Sequence, residues 1–163
     1  MSQKITPFIW FDTQAEEAAN YYVSIFKNSK ITDVSRYSKE GAAASGQKEG
    51  TVMVISFELN GQQFSAINGG PFLKLSGGIS FVIDCKDQEE VDYFWEKLSD
   101  GGEAGQCGWI NRDKFGVTWQ VVPKQLGELM SDPDREKAGR VMAAMLKMTK
   151  INIAELEKAY KGK

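Results

Sequence analysis

The stretch ISFVIDCKDQEEVDYFWEKL, residues 79–98, decides the fold, because it has the pattern of a short β-strand followed by an amphipathic helix. Its apolar run ends at Asp84, and Asp87 with Glu90 three residues later has the form of a helix capping box. The apolar residues that follow have the i, i+3, i+4, i+7 spacing of one helix face, namely Val91, Phe94, Trp95 and Leu98. The stretch therefore predicts one strand–helix pair.

The same pattern occurs roughly seventy residues earlier, in residues 5–25. An apolar run ends at Asp12, and Thr13 with Glu16 repeats the capping signal. The helix face has the same four positions, here Ala18, Tyr21, Tyr22 and Ile25. Chance does not reproduce a whole ordered set of features, so we infer an internal duplication.

Three strands are predicted after each helix. In the first half they are residues 31–38, 52–59 and 62–68, with a tight hairpin turn at Asn60-Gly61. Residues 40–50, rich in Gly, Ala and Ser, are predicted to be a mobile loop. In the second half the strands are residues 103–106, 108–112 and 117–122. Each unit is therefore predicted to be βαβββ.

The C-terminal part of the chain is predicted to be helical. Asp132 is placed to cap a helix that has Pro133 at its first position. The apolar stripe of this helix is Ala138, Val141, Met142 and Met145. Asn152 with Glu155 predicts a last short helix through Tyr160. The methionine-rich stripe is typical either of an adaptable binding surface or of a helix packed on the sheet.

Composition excludes several classes of function. Twenty basic residues against 22 acidic ones give a formal charge of -2, which disfavours general nucleic-acid binding. The sequence has no histidine, so Ser-His-Asp and Cys-His mechanisms are excluded and no imidazole is present to activate Cys107. No apolar run is long enough to span a membrane and the N-terminus has no signal-peptide pattern, so a cytoplasmic location with Cys85 and Cys107 as thiols is expected.

Three motifs carry a resemblance to a known family: NGGP at residues 68–71, CGW at 107–109 and DKFGVTWQVVP at 113–123. With the duplication, they resemble the PhnB-like branch of the vicinal-oxygen-chelate (glyoxalase/bleomycin resistance/dioxygenase) superfamily. The resemblance implies an α+β fold in which two βαβββ units form a U-shaped mixed sheet with a concave cleft. It also implies one domain over residues 1–163, with unit one at about 4–70, unit two at about 77–123 and a helical tail at about 124–163. Members are commonly homodimers.

The resemblance also implies where a metal ion would be bound. Metal-using members of the superfamily hold one ion with four side chains, from the first and last strands of each unit. The corresponding positions in this sequence are Ile5, Ser65, Gly78 and Gln120. Because Gln120 alone has a useful donor, we predict no metal and no cofactor.

Strand alternation identifies the residues that line the predicted cleft. Ser80 shares a strand face with Gly78 and Val82, and Thr118 shares one with Gln120. The opposite faces, with Ile79, Phe81 and Trp119 among them, carry larger apolar residues and are expected to lie under the helices. Adding Ser65 and aromatic walls, the predicted cleft residues are Phe8, Trp10, Ser65, Ser80, Trp109, Thr118 and Gln120. In the alternative interpretation these polar groups bond one another in a vestigial cleft.

These observations favour a metal-independent protein that binds a small, uncharged or weakly polar molecule. The sequence assigns no catalytic residue. Two alternatives remain, both of them enzymes. One is a methyltransferase, since relatives in this branch often carry the label 3-demethylubiquinone-9 3-methyltransferase. The other is a metal-dependent lyase or dioxygenase of the glyoxalase type.

Overall fold

A computed structural model describes residues 4–163, and these residues form two compact units. The first unit extends through Leu75 and the second is Ser76–Lys163. The boundary lies in the short connection that the sequence places between the two copies of the repeat. Within residues 4–163, no helix combines the length and the apolar character needed to cross a lipid bilayer.

The first unit is a four-stranded sheet with one long and one short helix. Its elements are β1 Phe8–Phe11, α1 Ala15–Ile25, β2 Lys30–Arg36, α2 Lys39–Ser45, β3 Val52–Leu59 and β4 Gln62–Asn68. The strand order is β1-β4-β3-β2, with β1 parallel to β4 and the other pairs antiparallel. Helix α1 packs against β3, where the buried Tyr22 ring stacks on Phe57, and Phe57 stacks on Phe64.

The second unit repeats this arrangement and adds three helices. Its elements are β5 Phe81–Cys85, α3 Gln88–Ser99, β6 Glu103–Ala104, β7 Trp109–Arg112, β8 Trp119–Pro123, α4 Lys124–Met130, α5 Arg135–Met145 and α6 Ile153–Tyr160. The strand order is β5-β8-β7-β6, again with the first strand parallel to the last. The α+β fold of two βαβββ units is confirmed.

The predicted mobile loop at residues 40–50 was wrong, because α2 occupies its first half. The Ser38 hydroxyl accepts a hydrogen bond from the Gly41 N–H at 3.2 Å and so caps the helix. Gly46 ends it in the left-handed conformation with φ 71°. The alanines between them are good helix formers, and this outweighs the small-residue composition that indicated a loop.

The predicted cap of α1 at Thr13 was also wrong. The N-cap position is Gln14, whose side chain makes no capping bond. Instead, Asn68 Oδ1 accepts from the Ala15 N–H at 2.7 Å, and Asn68 comes from the far end of the unit. In the second unit the predicted cap is confirmed, since the Asp87 side chain accepts from the Glu90 N–H.

The first strand of each unit begins later than predicted. β1 begins at Phe8 rather than at residue 5, and β5 covers Phe81–Cys85 rather than residues 79–83. Pairing of β5 with β8 begins at Phe81 opposite Trp119, so Ile79 precedes the ladder. Ile79 was predicted to lie under the helices, but 77% of its surface is exposed.

The C-terminal helices form a cluster of their own. The cap of α5 is Asp134, which accepts from two backbone N–H groups, and not Asp132 as predicted. Asp132 instead accepts from the Tyr160 hydroxyl at 2.5 Å. Of the predicted stripe, Val141 is fully buried in the cluster and Met142 is exposed. The cap of α6 at Asn152 is confirmed, while α4, which lies in the predicted helical tail, had not been identified as a separate helix.

Candidate functional site

The open face of the second unit's sheet presents a row of side chains that crosses three strands. On the central strand β8, Gln120 lies opposite Val82 of β5 and opposite Trp109 of β7. Residues that lie opposite each other in a sheet point to the same face. The other face of β8 carries Trp119 and Val121, which are buried against α3. The sequence alternation therefore separates a packed face from an open one.

This open face contains a hollow with a volume of about 380 Å³. The residues that line it are Gly77, Glu103, Trp109, Asn111, Arg112 and Thr118. Its volume is in the range of sites for small organic molecules, roughly 300–1,000 Å³. The half-buried Trp109 ring supplies the apolar wall, and the other side chains supply polar atoms.

Three predicted cleft residues of the second unit already make hydrogen bonds on the open face. Gln120 Nε2 donates to Ser80 Oγ at 2.8 Å, and Thr118 Oγ1 donates to the Asn111 carbonyl at 2.7 Å. Within residues 4–163, no hydrogen bond is made to Gln120 Oε1. With Gln120 as donor, the Ser80 hydroxyl proton is also available. The pair therefore offers one acceptor and one donor to a bound molecule.

An ion pair lies at the rim of the hollow. Arg112 Nη2 is 2.9 Å from Glu103 Oε2, and Asn111 Nδ2 donates to Glu103 Oε1 at 3.2 Å. Both charged side chains are at least half exposed, so salt and water screen the pair. Because the two charges cancel, the rim favours an uncharged ligand over an ionic one.

The predicted cleft residues of the first unit lie on the open face of its own sheet. Ser65 is opposite Phe8 on β1 and opposite Ser56 on β3, and its hydroxyl is 3.1 Å from that of Ser56. Trp10 donates its indole N–H to the Gly70 carbonyl at 2.9 Å, while Phe8 is largely exposed. Of the predicted cleft residues, Trp109 and Thr118 line the hollow, and Phe8, Trp10, Ser65, Ser80 and Gln120 do not.

Sequence reasoning missed four residues of the hollow: Gly77, Glu103, Asn111 and Arg112. Alternation along β7 places Asn111 on the same face as Trp109, so the sequence contained a signal for Asn111. Glu103 and Arg112 are brought together by the pairing of β6 with β7. That register contains a bulge, which no local pattern indicates.

The superfamily's metal position does not fit the donors that are present. Ile5 is highly exposed and has no donor atom, and Gly78 precedes β5. Ser65 and Gln120 offer one hydroxyl and one amide, which divalent metals rarely use as principal ligands. Over residues 4–163, no three His, Cys, Asp or Glu side chains come close enough to hold an ion.

The two cysteines have structural environments. Burial, with the nearby carboxylates of Glu90, Asp84 and Asp87, raises the pKa of the Cys85 thiol to about 12. Cys85 is therefore a neutral packing group at physiological pH. The Cys107 thiol donates to the Met145 carbonyl at 3.6 Å. Neither arrangement is that of an activated nucleophile.

Comparison with known proteins relates residues 3–122 to the family model described as 3-demethylubiquinone-9 3-methyltransferase. The solved PhnB protein of Bacillus cereus is 36% identical with a TM-score of 0.67, over 74% of this chain and 99% of that chain. A protein of Pseudomonas aeruginosa is 18% identical with a TM-score of 0.60, over 75% of this chain and 98% of that one, which supports the fold alone. Among curated proteins, none matches.

Proposed function

Since the chain belongs to the 3-demethylubiquinone-9 3-methyltransferase family, the PhnB-like branch of the vicinal-oxygen-chelate superfamily, we propose that it is a metal-independent small-molecule-binding protein. The observation that carries the proposal is the hollow in the second unit, which has one aromatic wall, from Trp109, and polar side chains around the rest. A concave site in which polar groups converge beside an aromatic ring can hold and orient a small organic ligand. The family name describes membership and does not establish methyl transfer by this chain.

The side chains in and beside the hollow indicate which groups a ligand needs: a planar ring, a hydrogen-bond donor and a hydrogen-bond acceptor. A planar ring stacks on Trp109, and such contacts contribute about 0.5–1.5 kcal/mol beyond the buried area. A donor on the ligand pairs with Gln120 Oε1, and an acceptor pairs with the Ser80 hydroxyl. A ligand that covers these groups without pairing them loses about 1–3 kcal/mol. We therefore propose a neutral, planar ligand with one polar end.

Native mass spectrometry of gently purified protein tests the proposal directly. One spectrum reports the oligomeric mass, any bound metal and any retained ligand. We expect a retained organic molecule without metal, and we expect it to be lost from Trp109→Ala and Gln120→Leu. Trp95→Ala, a change on α3 outside the open face, is the matched control and keeps the ligand. Retention of the molecule by all three variants would contradict the site.

Benzamide is a probe that matches the proposed chemistry, because it joins a planar ring to one neutral amide. We expect binding on the order of millimolar, as for a fragment of this size, followed through the Trp109 signals in NMR spectra. Cyclohexanecarboxamide, which keeps the amide and lacks the flat ring, binds more weakly. Benzoate, which keeps the ring and adds a charge, also binds more weakly. Equal affinities for the three probes would reject the neutral planar class.

The family label suggests methyl transfer as a competing function. A doubly wound methyltransferase sheet is mainly parallel and has a glycine-rich turn after its first strand. Here each sheet has one parallel pair, and β1 continues through Asp12, Thr13 and Gln14 into α1 without glycine. We therefore expect no S-adenosylmethionine binding by calorimetry. Micromolar binding of this methyl donor would establish the competing function in place of ours.

A metal-dependent lyase or dioxygenase is the less favoured enzyme. It would need several converging donors, and the corresponding positions supply one hydroxyl and one amide. Activity restored by added nickel, zinc, manganese or iron, with a glyoxalase-type or dioxygenase substrate, would support it against our proposal.

We further propose that the chain acts as a homodimer in the cytoplasm. Large apolar side chains at the end of the first unit and the start of the second are exposed, namely Phe72, Leu73, Leu75 and Ile79. Exposed large apolar side chains are often covered at protein–protein interfaces. Light scattering at micromolar concentration tests the dimer: twice the chain mass of 18.1 kDa is expected, and a clean 18.1 kDa species would contradict it. Recovery in the membrane or secreted fraction would contradict the location.

A further inference from the structure

The C-terminal helices α4, α5 and α6 lie outside the region that the family model matches, which ends at residue 122. They pack around a cluster whose buried members are Leu126, Val141, Ile151 and Leu156. Val122 of β8 packs against this cluster. By strand alternation Val122 is on the same face of β8 as Gln120. The helical tail therefore covers one end of the face that carries the hollow.

The tail also holds the loop that leads into Trp109. Cys107 and Gly108 are both in the left-handed region, with φ 57° and 82°. The Cys107 N–H donates to the Met148 carbonyl and the Gly108 N–H donates to the Thr149 carbonyl, both at 2.8 Å. The acceptors lie between α5 and α6. The tail thus supplies the partners of two successive N–H groups just before the aromatic wall.

The packing at Gly108 leaves no room for a side chain. A Cβ atom there would be 2.7 Å from the Val121 carbonyl oxygen and 3.1 Å from Ile151 Cγ1. The Gly108 carbonyl also accepts from the Val121 N–H at 2.8 Å. The residue before Trp109 is therefore fixed between β8 on one side and the tail on the other.

The tail is itself anchored to α3, so its position is defined. Gln88 Nε2 donates to the Ile151 carbonyl at 3.1 Å, and Gln88 Oε1 accepts from the Ile153 N–H at 2.8 Å. Lys150 forms an ion pair with Asp92 of α3, with 2.5 Å between Lys150 Nζ and Asp92 Oδ1. These contacts place the segment before α6 against the first turns of α3.

We propose that the C-terminal helices are a positioning element of the binding site, which fixes Trp109 and thereby sets the width of the hollow and the ligands that fit it. The inference rests on the proposed function in treating the hollow as the ligand site. The mechanical part, that the tail fixes Trp109, needs no ligand and can be tested separately.

Fluorine NMR of the full chain labelled with 5-fluorotryptophan tests the mechanical part. The four tryptophans give four resonances, and Trp109→Phe identifies that of Trp109. Ile151→Ala removes the side chain that touches Gly108. Leu156→Ala is the matched control, since Leu156 is equally buried in the same cluster. We expect the Trp109 resonance to shift or broaden clearly more in Ile151→Ala than in Leu156→Ala, with the Trp10 resonance unchanged.

Amide hydrogen exchange gives a second, independent measurement. We expect the Cys107 and Gly108 amides to exchange roughly tenfold faster or more in Ile151→Ala, which is the effect of about 1.4 kcal/mol of lost protection. The Phe81 amide, bonded to the Thr118 carbonyl, serves as an internal reference and is unchanged. If Ile151→Ala does not fold, Ile151→Val loosens the same packing by removing Cδ1 while it keeps Cγ1 next to Gly108, and the same order of effects is expected at smaller size.

The outcomes separate this inference from the proposed function. Equal responses of Trp109 to the two alanine substitutions, or no response to either, overturn the positioning role. A moved Trp109 resonance with unchanged benzamide affinity overturns the role in ligand selection. If benzamide binds neither the parent chain nor any variant while the Trp109 resonance moves as expected, the neutral planar ligand class fails and the positioning role stands. If Ile151→Ala binds benzamide several-fold more weakly and Leu156→Ala does not, the result supports both the positioning role and the proposed ligand class.

Discussion

Asn68 is one side chain that connects three elements of the first unit. Its Oδ1 accepts from the Ala15 N–H, its Nδ2 donates to the Val52 carbonyl at 3.0 Å, and its own carbonyl accepts from the Tyr37 hydroxyl at 2.6 Å. Asn68 is 4% exposed, so water cannot replace these partners. The cap of α1, the start of β3 and the end of β4 therefore depend on the same amide.

We expect Asn68→Ala to lower the free energy of unfolding by about 1–3 kcal/mol, because two buried backbone groups lose their partner. Asn68→Asp is expected to be no better, since a carboxylate accepts from Ala15 but cannot donate to Val52. Urea denaturation of both variants measures the loss. The exposed Asn20→Ala is the control, with a change within about 0.5 kcal/mol. Parent-like stability of Asn68→Ala would show that α1 is capped in another way.

Asp113 organises the turn between β7 and β8. Its Oδ1 accepts from the Phe115 and Val117 N–H groups at 2.8 and 3.0 Å, and its Oδ2 accepts from Trp119 Nε1 at 2.8 Å. In the Asp113→Asn variant the amide oxygen still accepts the first two bonds. The amide nitrogen, which is a donor, then faces the indole N–H of Trp119. We expect Asp113→Asn to destabilise by about 1–3 kcal/mol, and by clearly less in a Trp119→Phe background. A double-mutant cycle by chemical denaturation measures this coupling, and a coupling of zero would contradict the geometry.

Cys85 makes the stability of the fold depend on pH in the alkaline range. The pKa of its thiol rises from 9.0 to about 12, chiefly through burial, so the native state keeps the proton after the unfolded chain has released it. The contribution of the protonated Cys85 thiol to the free energy of unfolding is therefore complete below about pH 9, and it decreases as the pH rises towards 12. We expect the parent chain to lose stability relative to Cys85→Ala between pH 9 and about 10.5, measured by denaturation at each pH. Parallel curves for the two proteins would contradict this.

At the scale of elements, the sequence predicted what local patterns determine. Strands β3 and β4 were predicted with their observed bounds, because alternation and the Asn60-Gly61 turn are local signals. Asn60 and Gly61 both have positive φ, as this turn requires. The caps at Asp87 and Asn152 were predicted for the same reason. Element boundaries were less certain where pairing with another strand decides the first residue, as at β5.

The errors at the cap of α1 and at the rim of the hollow came from contacts between residues distant in sequence. The cap of α1 is supplied by Asn68, which is the last residue of β4 and lies 53 residues after Ala15. The rim pair of Glu103 and Arg112 depends on a bulged register between β6 and β7. By contrast, the Ser80–Gln120 and Thr118–Asn111 bonds lie where alternation placed their residues. The polar face was thus predictable, and so was bonding among its polar groups, but the pairing of Thr118 with the Asn111 carbonyl was not.

At the scale of the whole molecule, duplication explains why the chain has two similar open faces. In both units the first strand pairs in parallel with the last, and the helix that follows the first strand, α1 or α3, packs against the sheet. Superfamily members that use a metal draw ligands from these strands in both units. This chain keeps the strands, but the corresponding positions are Ile5, Ser65, Gly78 and Gln120, with one hydroxyl and one amide among them. The architecture is therefore present without the donors that a metal ion prefers.

We therefore expect the purified protein to carry no functional transition metal. An ion in this fold needs about three or four converging donors, preferably imidazole or carboxylate. The corresponding positions offer Ser65 and Gln120, whose side chains already bond to Ser56 and Ser80. Elemental analysis after chelator-free purification should give well under one equivalent of zinc, nickel, manganese or iron. Added metal should not raise the melting temperature, as a ligand of the native state would. Near-stoichiometric metal that Gln120→Ala removes would refute the prediction.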